Sequence, residues 1–93
     1  WQYCNAGYFI LGEIITKASE KPWPAYLKEQ FFDPLGMSAT RETTMTDLVP
    51  ERATGYKFDN RVKKHVNAPT YLAVRPSGAL LSTVEDLAKW NIA

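Results

Sequence analysis

Tyr3 and Asn5 stand two residues apart, with Cys4 between them, just ahead of an apolar helical pattern. A phenol can pass a proton, and a carboxamide offers a donor and an acceptor without titrating, so the pair suits proton transfer beside a polar substrate. The same residues have a plainer use, with Tyr3 packing as an aromatic and Asn5 capping the helix through its side-chain oxygen. Cys4 and His65 are the only thiol and the only imidazole in the sequence, hence the only thiol–imidazole pair for nucleophilic catalysis. A free cysteine is also among the residue types most often buried for packing alone, which gives Cys4 a structural alternative. His65 closes a basic run with Arg61, Lys63 and Lys64 that reads either as an anion contact or as the solvated arm of a hairpin. No Gly-rich phosphate loop, His-Glu-x-x-His zinc motif or Gly-x-Ser-x-Gly elbow occurs.

Helices must carry these residues. Tyr8, Leu11, Ile14, Ile15 and Ala18 recur at helical spacing and predict a first helix from Ala6 to Glu20. Pro22 and Pro24 end it, and Pro24 suits the first turn of a second helix that runs to about Phe32 with Leu27 and Phe31 facing inward. Asp33-Pro34-Leu35-Gly36 closes that helix as a turn. The polar stretch from Thr40 to Thr46 reads as loop. Tyr56-Lys57-Phe58 and Val62 to Val66 alternate around Asp59-Asn60, the pattern of a short hairpin, and a further extended stretch through Tyr71, Leu72 and Val74 lies between Pro69 and Pro76. Ser82 and Glu85 have capping-box spacing ahead of a last helix. In that helix Val84, Leu87, Ala88 and Asn91 share a face, and Glu85 and Lys89 can pair.

Composition narrows the classes. Ninety-three residues fit one domain or part of one, and 45% hydrophobic with 23% charged residues is ordinary for a folded chain. A net charge of +1 gives no electrostatic reason to expect nucleic acid. One cysteine excludes an internal disulfide, and the longest apolar run, Ala6 to Gly12, is too short to span a bilayer. The chain opens on Trp1 rather than Met, and its last helix meets no stop signal, which together predict a single subdomain cut from a larger protein.

A series of motifs runs in order along the chain: Tyr3-Cys4-Asn5-Ala6-Gly7-Tyr8 leading into Leu11-Gly12, then Phe32-Asp33-Pro34-Leu35-Gly36-Met37 ending at Thr40, then Gly55-Tyr56. Pro76-Ser77-Gly78-Ala79-Leu80-Leu81-Ser82-Thr83 follows, with Asp86-Leu87-Ala88 after it. This series resembles the penicillin-recognising serine hydrolases, the group of class C β-lactamases, DD-peptidases and related esterases, over essentially the whole chain. The resemblance implies three motifs that meet at one cleft: Ser-x-x-Lys with the nucleophile, Tyr-x-Asn on a second wall, and Lys-Thr-Gly or His-x-Gly on an edge strand. It assigns Tyr3 to proton transfer with the nucleophile, and Asn5 to hydrogen bonds with the substrate amide and the motif lysine. A serine hydroxyl needs a neighbouring base, and a tyrosine, with a reference pKa near 10, serves as one when ammonium groups favour its anion.

The chain departs from the family pattern at the other two motifs. Ser19, Ser38, Ser77 and Ser82 are followed three positions later by Pro22, Arg41, Leu80 and Glu85, so no Ser-x-x-Lys is present. Ala53-Thr54-Gly55 lacks the lysine of the third motif, and His65 is followed by Val66-Asn67. The expected fold class is therefore mainly α with a short β-hairpin, the helical region of the β-lactamase/transpeptidase-like fold without its α/β sandwich. The expected function is that of a fragment of a serine hydrolase acting on amide or ester carbonyls of a small molecule or peptide. The fragment is expected to be inactive alone, with Tyr3 and Asn5 as its catalytic positions and no cofactor or metal. The alternative is a non-catalytic helical module that self-associates through apolar faces. By family resemblance the compartment would be periplasmic, secreted or cell-envelope.

Overall fold

The computed structural model describes residues 1–44, 46–68 and 76–93. Residues 1–4 lead into helix α1, Asn5–Ser19, and a bend at Glu20–Pro22 reverses the chain into helix α2, Trp23–Leu27. Glu20 takes the left-handed conformation at φ 57° that commonly ends helices, and Pro22 prevents continuation. Two side chains tie the reversal together. Thr16 Oγ1 donates to Gly12 O at 2.9 Å and accepts from Trp23 N–H at 3.1 Å, while Ser19 Oγ donates to Ile15 O at 2.6 Å.

α2 continues without a break into a π-helical turn, Lys28–Phe32, whose wider register brings Asp33 N–H to Lys28 O at 2.9 Å. That register corrects the expected inward face. An α-helical period pairs Leu27 with Phe31, but the i→i+5 turn passes the buried position to Phe32, 6% exposed, and leaves Phe31 39% exposed. The turn at Asp33–Gly36 forms as expected, with Gly36 N–H donating to Asp33 O at 3.0 Å and Gly36 itself at φ 66°.

The polar stretch after the turn is not simply loop. Strand β1, Arg41–Glu42, pairs antiparallel with β4, Leu80–Leu81, in the register Arg41↔Leu81 and Glu42↔Leu80. Thr43 N–H extends the ladder to Ala79 O at 2.9 Å, and both Thr43 and Ala79 are buried. Thr44 Oγ1 and N–H both donate to the Asp47 carboxylate, which holds that carboxyl below its usual range. The hairpin forms between β2, Tyr56–Asp59, and β3, Lys64–Asn67, so Val62 belongs to the connecting turn rather than to a strand. The stretch through Tyr71, Leu72 and Val74 lies outside the described residues.

Helix α3, Val84–Ile92, is capped by Thr83, whose side chain accepts from Asp86 N–H; Ser82 is not the cap. Its covered position is Asp86, 2% exposed, whereas Val84 and Leu87 are 75% and 51% exposed. The helix docks by a polar contact at its start, and among the described residues its apolar face is met only in part, by Phe31 against Trp90 at 6.1 Å. Lys89 pairs with Asp86 at 2.8 Å rather than with Glu85. The structure thus has three α-helices, a π-turn and two two-stranded sheets among its described residues, one sheet more than expected.

Among the described residues few close the interior: Phe32, Met37 and Ala79 are the buried apolar side chains, joined by Thr40, Thr43 and Asp86. The surface of 7470 Å² exceeds the roughly 5,400 Å² of a compact chain of this mass. The radius of gyration, 15.9 Å, likewise exceeds the roughly 12 Å of a compact domain. Much apolar surface is left facing outward, including a groove between Leu27, Phe31, Leu80, Leu87 and Trp90. No helix among the described residues is long and apolar enough to cross a membrane.

Candidate functional site

Tyr3 and Asn5 flank the start of α1. Cys4 is the N-cap residue and is extended, at φ −139° and ψ 103°. The depression at this end of α1 is lined by Tyr3 and Cys4 but not by Asn5, so the structure does not bring the Tyr3 and Asn5 side chains into one pocket. Asn5 is the first helical residue, not the cap, and no side chain caps α1. Its expected capping role is therefore not realised, and its carboxamide stays exposed and uncommitted. A capping Asn needs a non-helical backbone, and here the extended conformation falls one residue earlier.

Tyr3 is 59% exposed. Its ring sits between Trp1 and Tyr8, with centroid separations of 6.4 Å and 6.2 Å, both tilted, so aromatic contacts steady the ring without a partner for the hydroxyl. Gly7 and Leu11, in the first and second turns of α1, line the shallow depression in front of it. Cys4 lies exposed at the same rim, so it is not a buried packing thiol. His65 is not among the residues around that depression; its ring packs edge-on against Phe58 at 5.5 Å within the hairpin. The hairpin turn holds Arg61 with its side chain 92% exposed, as a solvated arm would.

A second polar cluster escaped the motif reading. Asp86 Oδ2 accepts from Ala39 N–H at 2.8 Å and from Thr40 Oγ1 at 2.9 Å, and its Oδ1 accepts from Lys89 Nζ at 2.8 Å. Lys89 Nζ also donates to Gly36 O at 2.5 Å, and Thr40 Oγ1 lies 2.8 Å from Ser82 Oγ. The Lys89 ammonium, helped by the Thr40 hydroxyl and the Ala39 N–H, holds the Asp86 carboxyl below its usual range against the opposing effect of burial. This cluster ties α3 to the turn after the π-helix and is structural. Its sequence signal was the pairing of Thr40 and Asp86 with an apolar run, visible only once the two ends are brought together.

Gly12 is the other residue with an unread role. It is the buried residue of α1, and a Cβ built there would overlap the Pro76 ring, meeting Cδ at 2.9 Å and Cγ closer still. Pro76 leads the strand β4 segment, so this contact seats α1 against it.

The profile of the beta-lactamase family matches residues 1–92. A penicillin-binding protein of Bacillus subtilis (strain 168) is 33% identical over 106 residues, which take in 100% of this chain and 23% of that protein. The putative penicillin-binding protein PbpX of the same organism is 26% identical over 93 residues, 100% of this chain and 24% of its own length. Among solved structures, the octameric penicillin-binding protein homologue from Pyrococcus abyssi superposes with a TM-score of 0.81 at 34% identity, over 98% of this chain and 20% of that one. The D-amino acid amidase from Ochrobactrum anthropi SV3 gives 0.69 at 29% identity, over 95% and 28%. The chain therefore spans about a quarter of the length of the curated relatives it matches. With the ordered motifs from Tyr3 to Asp86 and a backbone that superposes on these relatives, the chain belongs to the beta-lactamase family, the penicillin-binding-protein-like serine hydrolases.

Proposed function

We propose that this chain is one subdomain of a larger serine hydrolase, the helical region that carries one wall of the active site. The intact enzyme would act on an amide or ester carbonyl. The serine oxygen attacks the carbonyl carbon as its proton passes to the Tyr3 oxygen; Tyr3 hands that proton to the amine or alcohol as the C–N or C–O bond breaks, and water then attacks the acyl-serine, releasing the acid and restoring the serine hydroxyl. Asn5 would donate to the substrate's carbonyl oxygen or accept from its amide N–H, and its oxygen would also accept a hydrogen bond from the motif lysine.

The observation that supports this reading is that Tyr3 and Asn5 stand together at the exposed mouth of α1, where Asn5 caps nothing and neither polar group is committed to a partner. A D-amino acid amidase among the structural relatives supports amide chemistry. The nucleophile and its lysine lie outside these 93 residues, since no Ser-x-x-Lys occurs in them. The isolated chain should therefore be inert: incubated with nitrocefin or a nitrophenyl ester, it is expected to match a heat-killed control, and turnover above that control would refute the assignment. A second reading, self-association through the groove at Phe31, Leu87 and Trp90, is supported by the exposure of those side chains and by the octameric relative.

A further inference from the structure

Asn5 and Gly12 are seven residues apart in one helix, so they lie within about 20° of each other around its axis. Thr16, four residues further, continues the same stripe. Along that stripe α1 is held twice: Thr16 accepts from Trp23 N–H at 3.1 Å, and Gly12 lies under the ring of Pro76. Asn5 stands beyond both contacts, at the exposed start of the helix, with Tyr3 just outside it. The arrangement is a lever. Thr16 to Gly12 spans about 6 Å and Thr16 to Asn5 about 16 Å, at 1.5 Å per residue.

We propose that Gly12 and Pro76 together form a positioning contact for the hydrolase site, fixing the height of the Tyr3–Asn5 wall through the seating of α1. Glycine is required here for closeness rather than for backbone freedom, because Gly12 is helical and what a side chain would meet is the Pro76 ring. A methyl group at position 12 must push the helix away from that ring. A shift of about 1 Å at Gly12, pivoting on Thr16, becomes nearly 3 Å at Asn5 by the ratio of those lengths. Misplacement of a catalytic group by about 1 Å can cost on the order of 100-fold in rate. The inference rests on the proposed roles of Tyr3 and Asn5.

The test uses the full-length protein that contains this chain, with a nitrophenyl ester as probe, and expresses kcat/KM per folded molecule at a temperature where circular dichroism shows each variant folded. Gly12→Ala is expected to lower that value about 100-fold. Pro76→Ala removes Cγ and Cδ, leaving only the Cβ contact at 3.1 Å, so the double variant Gly12→Ala/Pro76→Ala should recover to within about tenfold of the parent. A contact that mattered only for stability would move the melting temperature and leave kcat/KM per folded molecule alone, which would overturn the proposal. So would a double variant that folds without recovering activity, or one that does not fold at all, since the ring is the stated obstacle. If Gly12→Ala alone does not fold, the double variant decides. Asn5→Ala separates the two levels: if it is fully active, or if the parent shows no turnover, the site assignment fails and this inference with it. If Asn5→Ala is impaired while Gly12→Ala is not, only the positioning role fails.

Discussion

Replacing Tyr3 by Phe in the intact enzyme is expected to lower kcat by about 10²–10⁴-fold, the usual contribution of a positioned proton-transfer group. The substitution keeps the ring that packs between Trp1 and Tyr8 and removes only the hydroxyl, so the fold and the depression at the mouth of α1 should persist. Asn5→Ala should cost less, about tenfold to a hundredfold in kcat/KM, since it removes hydrogen bonds rather than a proton acceptor. It should leave stability nearly unchanged, because Asn5 caps nothing. That last point separates the catalytic from the structural role: a capping asparagine replaced by alanine would cost about 1 kcal/mol, visible in urea titration. Steady-state kinetics alongside urea denaturation of the two variants decides the matter. Full activity with reduced stability would reverse the assignment.

Asp86 is expected to govern stability as Tyr3 is expected to govern rate. Its carboxylate is the one group that joins the start of α3 to Ala39, Thr40 and Lys89, and it is 2% exposed. Asp86→Asn must turn an amide N–H₂ toward either the Lys89 ammonium or the Ala39 and Thr40 donors, so at least one buried hydrogen bond becomes a donor–donor contact. A fall in melting temperature on the order of 10 °C is expected. The pH dependence follows from the sign of its shift. The folded carboxyl titrates below the unfolded reference of about 3.9, so its contribution is complete above that value and is lost as pH falls through the lower folded one. Stability of the parent should therefore drop more steeply below about pH 4 than that of Asp86→Asn. Parallel pH profiles for the two proteins would show that the cluster contributes nothing.

The parts of this fold that were legible in the sequence are those set by local pattern. α1, the Asp33–Gly36 turn, the hairpin and α3 each announce themselves through periodicity or turn residues, and each is present. What was not legible depends on contacts between distant residues. Two-residue strands at Arg41–Glu42 and Leu80–Leu81 have too few side chains to show alternation, and their pairing crosses forty positions. The buried role of Asp86 left no local mark, because its partners Ala39 and Thr40 lie far back along the chain. The shift from Phe31 to Phe32 followed from a π-turn that no periodic reading anticipates. The proposed site divides the same way. Tyr3 and Asn5 are singled out only by the order of motifs around them, since a tyrosine two residues before an asparagine carries little by itself. The proline that presses on Gly12 was in plain view, but only the folded chain brings it there.

The central claim is that this chain supplies one wall of a hydrolase site and not its nucleophile. Mapping the trapped acyl group tests it most directly: the full-length protein is reacted with a penicillin or an activated ester, quenched, digested and read by peptide mass spectrometry. The acyl group is expected on a serine three residues before a lysine, outside these 93 residues. An acyl group on Cys4, or on Ser19, Ser38, Ser77 or Ser82, would contradict the account.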